Sequence, residues 1–118
     1  QARALGADEF WLKPVDRDRL VRKLRSLVGA GGPPPRLLLI DDDDSSRYLV
    51  RKLVEGTGYE LREASTGGEG VALAREERPD VILLDFQLEE ATAFDVLDEL
   101  KADPRTRGIP VVIVTSQM

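Results

Sequence analysis

The stretch LLLIDDDDSSRYLV, residues 37–50, opens with four apolar residues, meets four consecutive aspartates and then changes period. A short, fully apolar run fits a strand buried on both faces. Leu49, Val50, Leu53 and Val54 recur at helical spacing, which predicts a helix from about Ser45 to the glycines at 56 and 58. Strand, acidic turn and helix form one unit, and the chain repeats it. Residues 59–64 alternate as a more exposed strand, and residues 66–77 read as a second helix carrying Val71, Ala72, Leu73 and Ala74. Pro79-Asp80 turns the chain into a second apolar run over 81–84. Phe94, Val96, Leu97 and Leu100 mark a third helix, closed before Pro104, and Gly108-Ile109-Pro110 introduces a last run over 111–114.

Strands separated by helix-sized segments imply right-handed crossovers and a parallel sheet covered on both sides. In such sheets, sites form at the carboxyl ends of the strands, near the point where strand order reverses. Asp41 and Asp42 follow the first run, Asp85 the second and Thr115 the last. That coincidence is the functional signal.

A further strand, Phe10, Trp11 and Leu12, precedes all of these and runs into Lys13-Pro14. Residues 1–5 resemble the last turn of a helix with Gly6 as its cap. Asp16 is a fair N-cap for a helix bearing Leu20, Val21, Leu24, Leu27 and Val28. Residues 29–35, GAGGPPP, form the linker: flexible in the glycine half, extended in the proline half. The chain thus divides into residues 1–28, a linker over 29–35, and residues 36–118.

Composition narrows the chemistry. Cysteine and histidine are absent, which excludes disulfides, thiolate or imidazole metal sites and histidine triads. No apolar stretch approaches the roughly 20 residues of a membrane span, and no signal-peptide pattern opens the chain; a cytoplasmic location is the expectation. Residues 1–36 hold 8 Lys/Arg against 4 Asp/Glu, whereas residues 37–118 hold 9 against 18. So acidic a second segment argues against nucleic-acid binding, which rests on a basic surface. It fits a divalent cation, because a hard ion with oxygen ligands relieves repulsion among crowded carboxylates. Asp43 and Asp44 read as helix-start charges, favoured there by the helix dipole. Thr66-Gly67-Gly68-Glu69-Gly70 lacks the lysine and spacing of a phosphate loop and reads as the start of a helix.

The segments LLLIDDDDSSRYLV, PDVILLDFQL (79–88), IPVVIVTSQ (109–117) and LGADEFWLKPVDRDRL (5–20) together resemble the receiver domain of two-component response regulators. The resemblance implies a flavodoxin-like, doubly wound, parallel five-stranded α/β sheet. It implies that Asp85 accepts a phosphoryl group from a phosphohistidine on a histidine kinase or phosphotransfer protein. Mg²⁺ would be held by Asp42, Asp85 and the backbone carbonyl of Gln87, with Asp41 acting through water. Lys13 and Thr115 would contact the phosphoryl group, and Phe10 would be the switch aromatic. Pro14 would follow a cis peptide. Catalysis would extend only to the chain's own aspartyl phosphorylation and dephosphorylation.

Two positions depart from the family pattern: Glu89 stands where receivers usually have proline, and Ala93 where they usually have glycine. The altered loop leaves a second reading, a pseudo-receiver that is not phosphorylated and serves interaction or dimerisation. A haloacid-dehalogenase-like phosphatase also uses an aspartate after a strand, but needs a second one where this chain has Gln87.

The order of motifs differs from the family too, since the lysine strand and its helix come first instead of last. The resemblance therefore implies a permuted order lacking most of the fourth helix. Its source is a window across two tandem receivers, as in hybrid histidine kinases or multi-receiver regulators, or a circular permutant. Seven linker residues reach on the order of 20 Å, enough for residues 1–28 to fill the fifth-strand slot of their own chain. The alternative is a homodimer that swaps residues 1–28. In either case the missing helix should leave a bare apolar patch.

Overall fold

The computed structural model describes residues 6–27, 32–88 and 92–116. The helical turn expected over 1–5, Val28, linker positions 29–31 and loop positions 89–91 lie outside them. The elements run β1 (Glu9–Leu12), α1 (Arg17–Ser26), β2 (Arg36–Ile40), α2 (Asp44–Val54), β3 (Glu60–Ala64), α3 (Gly67–Glu77), β4 (Val81–Asp85), α4 (Ala93–Ala102) and β5 (Val111–Thr115). The five strands form one parallel sheet in the order β1-β5-β4-β2-β3. The chain belongs to the five-stranded parallel α/β class.

Alternation along the strands divides the core between two faces. Leu38, Ile40, Ile82, Leu84, Val111 and Ile113 pack with Val71, Ala74, Val96, Leu97 and Leu100 of α3 and α4. Leu37, Leu39, Val81, Leu83, Val112 and Val114 face the other way, against Leu20 and Leu24 of α1 and Val50 and Val54 of α2. The unbroken apolar runs of β2, β4 and β5 are thus explained by helices on both sides. β3 is an outer strand, and its charged residues pair outward: Glu63 with Arg51, Arg62 with Glu77 and Glu60 with Arg36.

Side-chain caps set where the helices begin. Asp43 accepts the Ser46 N–H at 2.9 Å, so α2 starts at Asp44, one residue before the apolar spacing indicates. Thr66 caps α3, and Thr92 with Asp95 forms a reciprocal capping box on α4. The linker ends earlier than its composition implies, because Pro35 is buried and its carbonyl accepts the Glu60 N–H at 3.1 Å.

The first segment closes on its own chain. β1 pairs with β5 in the register Phe10 to Ile113 and Leu12 to Thr115. Trp11, Leu20 and Leu24 are buried in that closure, each apolar side chain contributing roughly 2 kcal/mol. Instead of a bare patch, the described part of the Phe10 face of β1 exposes one large apolar side chain, Leu12, at 50%. Phe10 itself is half-buried against the α3–α4 side.

The glycine-rich start of α3 serves packing. Gly70 sits against Ile40, and a Cβ there would stand 2.6 Å from its Cγ1 and 3.1 Å from its Cγ2. Gly68 faces open space. Gly70→Ala is therefore expected to lower stability in urea unfolding by about 1–2 kcal/mol through overpacking. Gly68→Ala should raise it by about 0.5 kcal/mol, because it only restricts the unfolded chain.

Candidate functional site

Register alone brings the candidate residues together. Ile40 lies opposite Leu84, so Asp41 and Asp85, one residue further on, are neighbours where β2 and β4 end. Here the order reverses: β2 leads outward to β3 and β4 outward to β5. This is the switch point at which ligands bind in open α/β sheets. On the other side Leu12 lies opposite Thr115, which sets Lys13 beyond the end of β5. The Lys13 N–H donates to the Thr115 carbonyl at 2.8 Å and the Phe86 N–H to the Val114 carbonyl at 2.8 Å, extending the ladder into the site.

Carboxylate oxygens of Asp41, Asp42 and Asp85 lie within 4.8 Å of one another. The Lys13 ammonium enters this cluster, with Nζ 3.1 Å from Asp85 Oδ1 and 3.4 Å from Asp41 Oδ2. It also donates to Ser46 Oγ at 3.4 Å. Asp41 is further fixed by the Asp43 N–H, 2.9 Å from its Oδ1. The Lys13-Pro14 peptide is cis.

The charges of the cluster act on one another. Burial raises the Asp85 carboxyl above its ordinary value and the Asp41 charge adds to this, while Lys13 opposes both. Burial alone would lower the Lys13 ammonium, but Asp41 and Asp85 outweigh it and hold the group above its ordinary value. Lys13 is thus a fixed positive charge, and Asp85 a carboxylate kept ionised at a cost.

Two recesses meet at Lys13 and Asp85. A polar cleft of about 300 Å³ is lined by Lys13, Asp85, Phe86, Gln87, Thr115 and Ser116. An apolar groove of about 420 Å³ runs from the same pair between Val15 and the Leu49–Leu53 side of α2. Thr115, only 7% exposed, sits in the polar cleft with Asp85. Gln87 lines the cleft and forms an antiparallel bridge with Thr92. Phe10 does not enter the cleft; it packs against the core on the α3–α4 side.

Sequence reasoning assigned no role to Ser46, which touches Lys13, or to Ser116, which lines the cleft. The spacing Asp43-x-x-Ser46 is an N-cap signature that could have located Ser46 on the turn next to the acids. Ser116 gave no comparable signal.

A family model described as the response regulator receiver domain matches residues 37–118. The chain is 40% identical over 70 residues to protein PilH of Pseudomonas aeruginosa, covering 59% of this chain and 58% of that protein. It is 47% identical over 68 residues to the polar-differentiation response regulator DivK of Brucella anthropi, covering 58% of this chain and 55% of that protein. It thus spans little more than half the length of these relatives. Among solved structures, the N-terminal domain of a response regulator receiver protein from Methanoculleus marisnigri superimposes with a TM-score of 0.68 at 30% identity. That match covers 70% of this chain and 68% of the other. The chemotaxis response regulator CheY4 of Vibrio cholerae gives 0.67 at 27% identity, covering 71% and 70%.

Because Asp85 is ionised against burial and a neighbouring charge, neutralising it should stabilise the metal-free chain. A raised carboxyl contributes its relative stability below the unfolded value and loses it as pH rises through the folded value. Asp85→Asn in EDTA at neutral pH should therefore gain on the order of 1 kcal/mol, several degrees in Tm. The gain should narrow as pH is lowered toward the ordinary aspartate range, which thermal melts across a pH series would show.

Proposed function

We propose that this chain, which belongs to the response regulator receiver domain family, is a phosphoacceptor with Asp85 as its nucleophile. The observation that carries the reading is the approach of Lys13 Nζ to Asp85 Oδ1, 3.1 Å, inside a cluster of three carboxylates. A carboxylate oxygen of Asp85 would attack phosphorus, and the phosphorus–nitrogen bond of a donor phosphohistidine would break. The electron pair leaves with the imidazole, and Asp85 becomes an acyl phosphate. Lys13, already in contact with Asp85, would meet the phosphoryl oxygens, and its raised affinity for the proton would keep it charged for that task. Thr115 lines the same cleft and offers a hydroxyl to the product.

Mg²⁺ fits the donor set: Asp41, Asp42 and Asp85 offer oxygen alone, at one pole, with a surplus of negative charge. In this reading Asp42, Asp85 and the Gln87 carbonyl would hold the ion, with Asp41 acting through water. When bound, the ion supplies neutralisation of the charge on the transferring oxygens. The donor in this reading is a histidine kinase or a phosphotransfer protein, and phosphorylation shifts an interaction surface.

The pseudo-receiver reading draws on the departures at Glu89 and Ala93. Ala93, however, is fully buried as the first residue of α4, and among the described residues only Arg78 is a non-glycine at positive φ. Its methyl group is thus accommodated. The remaining departure is the charge at position 89.

In the same reading, residues 1–28 stand in the place of the family's last strand and helix, in permuted order, without most of the fourth helix. They descend from the tail of an upstream receiver in a tandem parent, or from a permutation. Supporting this, the family match begins at 37 while β1 still completes the sheet. Exchange of residues 1–28 between copies would keep every contact. Closure on one chain is favoured by effective concentration, so light scattering across a dilution series should give the mass of a single chain.

Incubation with Mg²⁺ and acetyl phosphate tests the central claim. Intact mass should show one phosphoryl adduct in the wild-type chain and none in Asp85→Asn. No adduct under saturating donor, with Mg²⁺ present, would sink the acceptor reading in favour of the interaction module.

A further inference from the structure

Arg47 is a charged side chain with little solvent. It stands on the first turns of α2, its side chain only 14% exposed. The guanidinium contacts three acceptors: in the turn after β2, on α2 itself and on β3. One amino group donates to the backbone carbonyl of Asp41 at 2.6 Å. The other bonds the Asp44 carboxylate. Nε lies 3.4 Å from Glu63 on β3. A planar fork with several donors is suited to such a position, and a charge-assisted bond to a carbonyl is among the stronger ones.

The Asp41 carbonyl belongs to the peptide that joins Asp41 to Asp42. The Asp41 N–H, on the other side of the residue, is held by the Ala64 carbonyl at 3.0 Å. Arg47 thus fastens the second end of the residue, and with it the direction in which the two adjacent carboxylates leave the chain. Glu63, tied also to Arg51 at 2.7 Å, anchors the guanidinium to the sheet.

We propose that Arg47 is a positioning residue for the Asp41–Asp42 pair, holding both carboxylates at the spacing that a divalent cation requires. The role rests on the metal reading given above. It also makes a prediction opposite in sign to simple electrostatics. Removing a positive charge beside an acidic cluster should tighten cation binding. Removing the clamp should weaken it, because the carboxylates lose their common geometry. Losses of about tenfold are typical when a residue that orients metal ligands is removed.

The test is calorimetric titration of Mg²⁺ into the wild-type chain, Arg47→Ala and Arg51→Ala, each well below its own melting temperature. Arg47→Gln serves where Arg47→Ala does not fold. Arg51→Ala breaks a bond to the same Glu63 without touching Asp41, and so controls for loss of the α2–β3 tie. The expected result is about a tenfold rise in Kd for Arg47→Ala and a near-unchanged Kd for Arg51→Ala. Unchanged or tighter binding in Arg47→Ala or Arg47→Gln overturns the positioning role, as does an equal loss in Arg51→Ala. A wild-type chain that binds no Mg²⁺ overturns the metal reading and this role with it.

Discussion

Repulsion among carboxylates at the carboxyl pole of the sheet is the constraint on which the site depends. Three aspartates within 4.8 Å would separate on a flexible chain. They are held because β2 and β4 are adjacent, parallel and buried on both faces, so neither strand can slip without exposing its core side chains. Apolar burial thus supports a local arrangement that charge opposes. Lys13 offsets part of the repulsion from one side, and the Asp43 N–H another part from within the turn. The same opposition makes the pole responsive: any ligand that adds positive charge, or any reaction that alters Asp85, acts against a standing imbalance.

That imbalance is coupled to the edge of the sheet. Lys13 follows directly on β1, whose Trp11 points to one core and whose Phe10 points to the other. The apolar contacts of Trp11, Leu20 and Leu24 hold the strand and helix in place, while the ammonium adds a polar contact at one end. Asp85 is in direct contact with Lys13, and Lys13 follows straight on the strand that carries Phe10 and Leu12. The connection from the acidic cluster to the edge of the sheet is contiguous and short.

Much of this was legible because strand ends are legible. The apolar runs at 37–40, 81–84 and 111–114 each stop at a polar residue, and parallel pairing converts three separate stops into one cluster. Lys13 was legible for the same reason, despite its distance in sequence from Asp85. The side chains that tune the cluster were harder to see. Arg47 looks like any solvated arginine on an amphipathic helix, since nothing local says that its fork will meet a carbonyl six residues back and a strand beyond. Gly70 reads as part of a glycine-rich helix start, yet its lack of a side chain answers to Ile40, thirty positions earlier. Phe10 could be assigned to the core by its spacing but not to a cleft, because orientation at an edge strand is decided by what packs outside it.

The departures after Asp85 can be ranked by the same reasoning. A residue that replaces glycine matters when the backbone is left-handed or closely approached. Ala93 begins a capped helix with ordinary backbone, so the first condition does not hold, and its methyl group is part of the buried core. Glu89 differs in kind, because it brings a charge rather than a shape. Charge acts mainly on the rate at which charged partners meet, shape on how they fit. The acids, the lysine and the threonine are set by strand register, which a loop charge does not disturb. The geometry of the acidic cluster therefore stays with the sheet, and the sequence change at position 89 is one of charge alone.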